Sequence, residues 1–248
     1  MIPRVLHQIW VGPHQLPEEF AAYADTWRRH HPGWEYRLWT EAEIPPDLRR
    51  PEARERLRMP AERSDILRVE ILWREGGVYV DTDFECRGSL EPHLDGREFV
   101  TANLFPHRVN NAFIASVPGH VILDEALAEM KPREFFGFDK WAAGPFFFNS
   151  IVQRHKSSPG VRLLPPELMY PRTLAERERA LAIHHVARSW KNVDELREDV
   201  LRAERNLRAV QDRLEKELRA HAETKRRLER AERRVSATPP GRSPERSP

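Results

Sequence analysis

The sequence predicts an α/β domain followed by a long charged helix, and three observations carry that prediction. Short apolar runs of strand length alternate with amphipathic stretches of helix length from residue 1 to about 192. Glycine and proline breaks separate these runs, as expected where elements end and turns begin. From Val193 to Val235 prolines and aromatics vanish and charged residues crowd in.

The first run, Arg4 to Gly12, reads as a buried strand stopped by Gly12-Pro13. Pro17 to Arg29 reads as a helix, because Phe20, Tyr23, Ala24 and Trp27 fall on one stripe. Trp34 to Thr40 alternates like a second strand, and the Pro- and Arg-rich segment 43–60 reads as a surface excursion. Ala61 to Glu75 is a helix with Ile66, Val69 and Trp73 on one stripe and Leu67 and Ile71 on another. Gly76-Gly77 ends it, as glycine does at helix C-termini. A strand ending in Val80-Asp81-Thr82-Asp83 follows at once, and alternation places Tyr79, Asp81 and Asp83 on one face. Further strands are expected at Phe99 to Ala102 and Ala112 to Ser116, with helices near 121–130 and 141–154.

The charged stretch carries a heptad pattern. Val200, Leu207, Leu214, His221, Leu228 and Val235 occupy one position, and Ala203, Val210, Glu217, Thr224 and Ala231 the partner position. Such a seam is a coiled-coil signature, weakened by its polar middle; the bland alternative is a long, solvated, salt-bridged helix. The division expected is therefore a domain over 1–192, a coiled coil or long helix over 193–235, and a compositionally disordered tail over 236–248. The heptads allow a homodimer through this helix.

Composition narrows the function classes. Of 248 residues, 40% are hydrophobic and 32% charged, and the formal net charge of +2 implies no nucleic-acid partner. Cys86 is the only cysteine, so no internal disulfide framework exists. His7 and Gln8 interrupt the N-terminal apolar stretch, which argues against a signal peptide, and no run has the length of a spanning helix. A cytoplasmic location, with or without peripheral attachment to a membrane, is the expectation.

Two carboxylates spaced two apart repel each other unless solvent, protonation or a cation relieves them. Asp81 and Asp83 are such a pair, although a D-x-D by itself is weak evidence. Asp65 and Arg68 lie three apart on the preceding helix and so share a face; taken alone they make an ordinary ion pair. The whole stretch "ERSDILRVEILWREGGVYVDTDFECRGSLEP" combines the S-D-[IL]-x-R helix, the Gly-Gly break, a tyrosine two before the first acid, and D-x-D.

In this combination it resembles the DxD sugar-binding region of the family 32 glycosyltransferases. "IPRVLHQIWVG", "NAFIASVPGH", Gly144-Pro145 and "IHHVARSW" are similar to further segments of that family, with Arg188 in place of a usual glycine. The resemblance implies a GT-A-like fold, a Rossmann-like mixed sheet flanked by helices. It also implies transfer of a sugar from a UDP- or GDP-linked donor to a glycan, lipid or small-molecule acceptor, with retention of configuration. A divalent cation, Mn²⁺ or Mg²⁺, would be held by Asp83, while Asp81 would hold the ribose of the donor, the metal's water shell, or both. His185 is the preferred further ligand and His184 the alternative, since a strand turns only one of them inward. Asp65 and Arg68 would bind the transferred sugar, with Arg68 near the phosphate; these four acidic and basic positions form the expected catalytic set. Trp10 would contact the base, Tyr79 would line the nucleotide pocket, and Ser189 and Trp190 would close over the diphosphate. Two other classes compete: a non-catalytic coiled-coil scaffold with a degenerate transferase domain, and a D-x-D phosphatase. The phosphatase lacks support, because Phe84-Glu85 follows the second acid and no later acidic pair supplies its metal site.

Overall fold

The computed structural model describes all residues except 52–58, 136–137, 142, 188–192 and 237–248. The chain falls into two units, Met1–Trp190 and Lys191–Pro248. The first contains strand β1 (Val5–Ile9), helix α1 (Glu18–His30), β2 (Glu35–Trp39), α2 (Pro60–Glu75), β3 (Gly77–Val80) and β4 (Phe84–Cys86). Then come α3 (Glu91–Leu94), β5 (Phe99–Phe105), β6 (Arg108–Ser116), α4 (Val121–Glu129), β7 (Pro132–Phe135), β8 (Phe138–Trp141) and α5 (Pro145–His155). β9 (Val161–Leu164), α6 (Pro166–Met169), α7 (Leu174–Arg179) and β10 (Ala182–His184) complete the unit. The second unit contains α8 (Val193–Ser236).

The main sheet has six strands in the order β2-β1-β3-β6-β5-β9. β1 runs parallel to β2 and β3, β6 is antiparallel to β3 and β5, and β9 is parallel to β5. This is the mixed sheet flanked by helices that the sequence predicts. Its inner strands β1, β3, β5 and β6 are buried on both faces over most of their length, because successive residues feed two core clusters. Tyr79, Phe99 and Ile114 join Ile66, Leu67, Leu123 and Phe148 in one cluster. Val78, Val80, Val100 and Phe113 join Trp27, Leu164 and Met169 in the other.

Gly77 shows why glycine stands at the α2–β3 junction. Its φ is +94°, and a Cβ there would sit 2.6 Å from the Val5 carbonyl oxygen and 2.9 Å from His7 Nε2. The close β1–β3 approach that carries the acids to their place thus needs a residue without a side chain.

Two expectations are corrected by the structure. β3 ends at Val80, and Asp81 to Asp83 form a turn closed by Phe84 N–H donating to the Asp81 carbonyl at 3.2 Å. The two acids therefore converge by turn geometry rather than by strand alternation. The described part of the 43–60 segment is not a mere surface excursion. Ile44 and Leu48 enter the first core cluster, and the Arg49 amide donates to the buried Glu70 at 2.7 Å. The Pro and Arg content hid those two apolar anchors.

Helix α8 is 44 residues long, or about 66 Å at the standard rise. Leu207, Val210, Leu214 and Leu218 are all exposed on it, and Arg213–Glu217 and Arg219–Glu215 pair at i,i+4 spacing. Among the described residues, no helix is long and apolar enough to cross a membrane.

Candidate functional site

The site lies at the carboxyl ends of the parallel strands, where open α/β sheets bind ligands. Trp10 follows β1 and Asp81 follows β3. Gln8 Nε2, near the end of β1, donates to the Asp81 carbonyl at 3.2 Å and ties the two strand ends together.

Arg68 organises the acids from α2. Its Nε donates to the Ser64 carbonyl at 3.0 Å, one terminal nitrogen to the Asn111 carbonyl at 2.9 Å, and the other to Ser64 Oγ at 3.1 Å. Asp65 Oδ1 lies 3.2 Å and Asp81 Oδ1 3.1 Å from the same guanidinium. Three of its five N–H groups therefore make hydrogen bonds, and both flanking carboxylates lie within ion-pair distance. Burial works against the charge of Arg68, but Asp81, Tyr79 and Asp65 outweigh it and raise the pKa further. The guanidinium is thus a positive charge held between Asp65 and Asp81.

A relay runs from Arg68 through Ser64 to Tyr79. The Ser64 hydroxyl lies 3.2 Å from the Tyr79 hydroxyl, which donates to Asp81 Oδ1 at 2.6 Å. Asn111 Nδ2 donates to Asp65 Oδ1 at 2.8 Å. Burial pushes the Asp65 carboxyl up, against the pull of Arg68 and Asn111. Gly144, the N-cap of α5, lets that helix approach Asp65, because a Cβ there would stand 3.3 Å from Asp65 Oδ2.

The small β4–β10 ribbon supplies the remaining group. Its register places His184 opposite Phe84, one residue beyond Asp83. The imidazole stacks on the Phe84 ring at 4.5 Å with planes 2° apart, which aims Nε2 at the acids. Nε2 lies 3.1 Å from Asp83 Oδ1 and 4.0 Å from Asp81 Oδ2. Asp81, Asp83 and His184 each offer one ligand atom within 4.8 Å of the others. Burial disfavours the Asp83 charge, but His184 and the Ala187 amide outweigh it and hold the carboxyl below its usual range.

Asp83 also anchors the chain that leaves β10. Its carbonyl accepts from the His185 amide at 3.0 Å and its Oδ2 from the Ala187 amide at 2.8 Å. Between them Val186 has φ +52°, unusual for a β-branched residue and held by the bonds on either side.

The structure brings together Asp65, Arg68, Tyr79, Asp81 and Asp83, while Trp10 sits at the neighbouring strand end. Trp10 donates from Nε1 to the His14 carbonyl at 2.7 Å and meets Phe20 edge-on. His185, the preferred ligand from sequence, points elsewhere. It stacks on Tyr23 at 4.5 Å, and its Nε2 lies 3.2 Å from Glu85 Oε2. Strand alternation turns one histidine of the pair inward, and the β4 register selects His184. Ser189, Trp190 and Arg188 lie outside the described residues. Ser64, Asn111, Phe84 and Tyr170 were not singled out from the sequence as site residues. Ser64, Phe84 and Asn111 stood inside quoted segments, whereas Tyr170 carries no local signal.

Residues 17–100 match the family described as the glycosyltransferase sugar-binding region containing a DXD motif. The chain is 28% identical over 211 residues to inositol phosphoceramide mannosyltransferase 1 of Schizosaccharomyces pombe, covering 78% of this chain and 63% of that protein. It is 29% identical to the mannosyl phosphorylinositol ceramide synthase SUR1 of Saccharomyces cerevisiae, covering 67% of this chain and 47% of that one. It is 28% identical to the uncharacterized glycosyltransferase L373 of Acanthamoeba polyphaga mimivirus, covering 69% and 74%. The chain thus spans less than two thirds of the two yeast proteins. Among solved structures, a glycosyltransferase involved in glycosylation of the major capsid of PBCV-1 aligns with TM-score 0.47 at 10% identity, over 75% of this chain and 95% of that one. So loose a likeness carries no argument about function. The part of the chain that matches the DXD-containing glycosyltransferase sugar-binding family is residues 17–100, the stretch that carries α1, α2 and both acids.

Proposed function

We propose that the protein transfers a sugar from a UDP- or GDP-linked donor to an acceptor, using a divalent cation held by Asp83, Asp81 and His184. The observation that carries this reading is the convergence of two carboxylates and one imidazole within 4.8 Å, beside the Asp65–Arg68 pair. Two hard oxygens and a borderline nitrogen suit Mn²⁺, and the oxygens alone suit Mg²⁺. When bound, such a cation neutralises charge on a diphosphate leaving group.

The chain's own residues supply orientation. Arg68, paired with Asp65 and Asp81, holds both carboxylates in place and keeps a positive charge near the phosphate. Asp65, held by Asn111 Nδ2, would bind the transferred sugar, and the Tyr79 hydroxyl fixes the Asp81 rotamer. Trp10 offers the base a stacking surface at the adjoining strand end. The family resemblance supports retention of configuration. The names of the yeast relatives support a hexose donor and leave the acceptor class to a glycan, lipid or small molecule. The exposed apolar stripe on α8 supports self-association through a second copy of that helix.

Calorimetric titration of Mn²⁺ in the presence of UDP or GDP tests the reading. Asp83→Asn keeps the shape but removes a charged ligand, so binding should weaken greatly and donor hydrolysis fall by orders of magnitude, as is typical when the stabiliser of a leaving group is removed. Unchanged metal affinity in that variant would overturn it. Turnover of phosphate monoesters instead of nucleotide sugars would favour the phosphatase class.

A further inference from the structure

We propose that Tyr170 is a positioning residue of this site, its hydroxyl accepting a hydrogen bond from Nδ1–H of His184 so that Nε2 is free to ligate the cation. The inference rests on the metal-site reading above and deepens it.

Two buried polar atoms in one aromatic box carry the argument. His184 Nδ1 and the Tyr170 hydroxyl are both sealed from solvent, and neither has a hydrogen-bond partner among the described residues. Buried polar groups without partners are uncommon and costly. The two rings lie 5.8 Å apart, edge to face at 64°, and both pack on Phe84, which stacks flat on His184 and meets Tyr170 at 5.7 Å. Tyr170 follows α6 directly, where its amide donates to the Pro166 carbonyl at 2.7 Å. The side chain thereby reaches the site from an element far in sequence from both acids.

The chemistry of the pair is complementary. A neutral imidazole that offers Nε2 as an acceptor must carry its proton on Nδ1. Metal-ligating histidines almost always donate that second N–H to a partner, which fixes both tautomer and ring orientation. Phe84 fixes the plane of His184 but cannot choose its tautomer. A phenol can, since its oxygen accepts from Nδ1–H while its own proton stays in place. A phenol is ordinarily neutral near pH 7 and keeps lone pairs that can accept an N–H. Without the cation, Nε2 faces Asp83 at 3.1 Å, where an N–H on that nitrogen is favoured. With the cation, the proton belongs on Nδ1, and Tyr170 is the buried group in the same box able to receive it. The two atoms are not bonded to each other in this structure; a hydrogen bond formed between them when the cation binds would satisfy both.

Tyr170→Phe removes only the oxygen and keeps the ring in its packing. Mn²⁺ affinity, measured by calorimetry with UDP or GDP present, should fall about tenfold, the lower end of what loss of such a partner costs. Thermal unfolding without metal should be unchanged or slightly raised, because an unpaired buried hydroxyl is removed. In a His184→Ala background, Tyr170→Phe should produce no further loss of Mn²⁺ affinity. An equal loss in both backgrounds would show that Tyr170 acts on something other than His184, and would overturn the inference. So would unchanged Mn²⁺ affinity in Tyr170→Phe, or a clear drop in its thermal stability. A wild-type chain that binds no Mn²⁺ with either nucleotide would instead overturn the metal-site reading, and this inference with it.

Discussion

Exchanging the fates of two adjacent histidines gives a sharp test of the site geometry. His184→Ala removes the imidazole that stands 3.1 Å from Asp83 Oδ1, whereas His185→Ala removes one that stacks on Tyr23 and meets Glu85. Loss of a ligating imidazole should weaken Mn²⁺ at least as much as loss of a supporting partner does, or about 10- to 100-fold. That factor corresponds to roughly 1.4–2.7 kcal/mol. Without metal, His184→Ala should also destabilise the fold. It removes a charge-assisted bond to Asp83 worth about 1.5–3 kcal/mol and a ring packed on Phe84. Asp83 would then titrate higher, because His184 is among the contacts that hold its carboxyl down. His185→Ala touches a partly exposed pair, and its effect on stability should stay within about 0.5 kcal/mol. Calorimetric Mn²⁺ titration with UDP or GDP, run on both variants beside urea unfolding, reads the two effects separately. A metal defect in His185→Ala together with normal Mn²⁺ binding in His184→Ala would refute the geometric assignment.

Two further outcomes follow from the fold. Burial lowers the His7 pKa from 6.5 to about 4. Its ring accepts from Trp39 Nε1 on Nδ1 and faces the Gly76 carbonyl with Nε2. A depressed folded value means this contribution is complete above pH 6.5 and lost as pH falls toward 4, a span worth about 3 kcal/mol. Urea midpoints between pH 7.5 and 4.5 should fall accordingly, and a His7→Gln variant that kept the same slope would show the pH dependence arises elsewhere. If the exposed stripe on α8 pairs with a second copy, a chain ending at Asn192 should sediment as a monomer that still binds nucleotide with Mn²⁺. A full-length chain that is monomeric at micromolar concentration would exclude the pairing.

The sequence by itself determined the local elements and the acidic motif. Period and punctuation located α1, α2 and the strands around them, because apolar stripes and Gly-Gly breaks are local signals. The spacing of Asp65 and Arg68 put them on one helix face, and the D-x-D named the carboxylates. What local pattern could not supply was the meeting of distant segments. The β4–β10 register chose His184 over His185, a decision made by pairing across about a hundred residues of chain. The turn at Asp81–Asp83, not the strand period, set the angle between the acids. Ile44 and Leu48 became core anchors only because α2 offered them a surface. Tyr170 packs against His184 because β10 and the end of α6 meet behind Phe84. Each of these depends on long-range packing, whose energy is spread over contacts that no window of sequence contains.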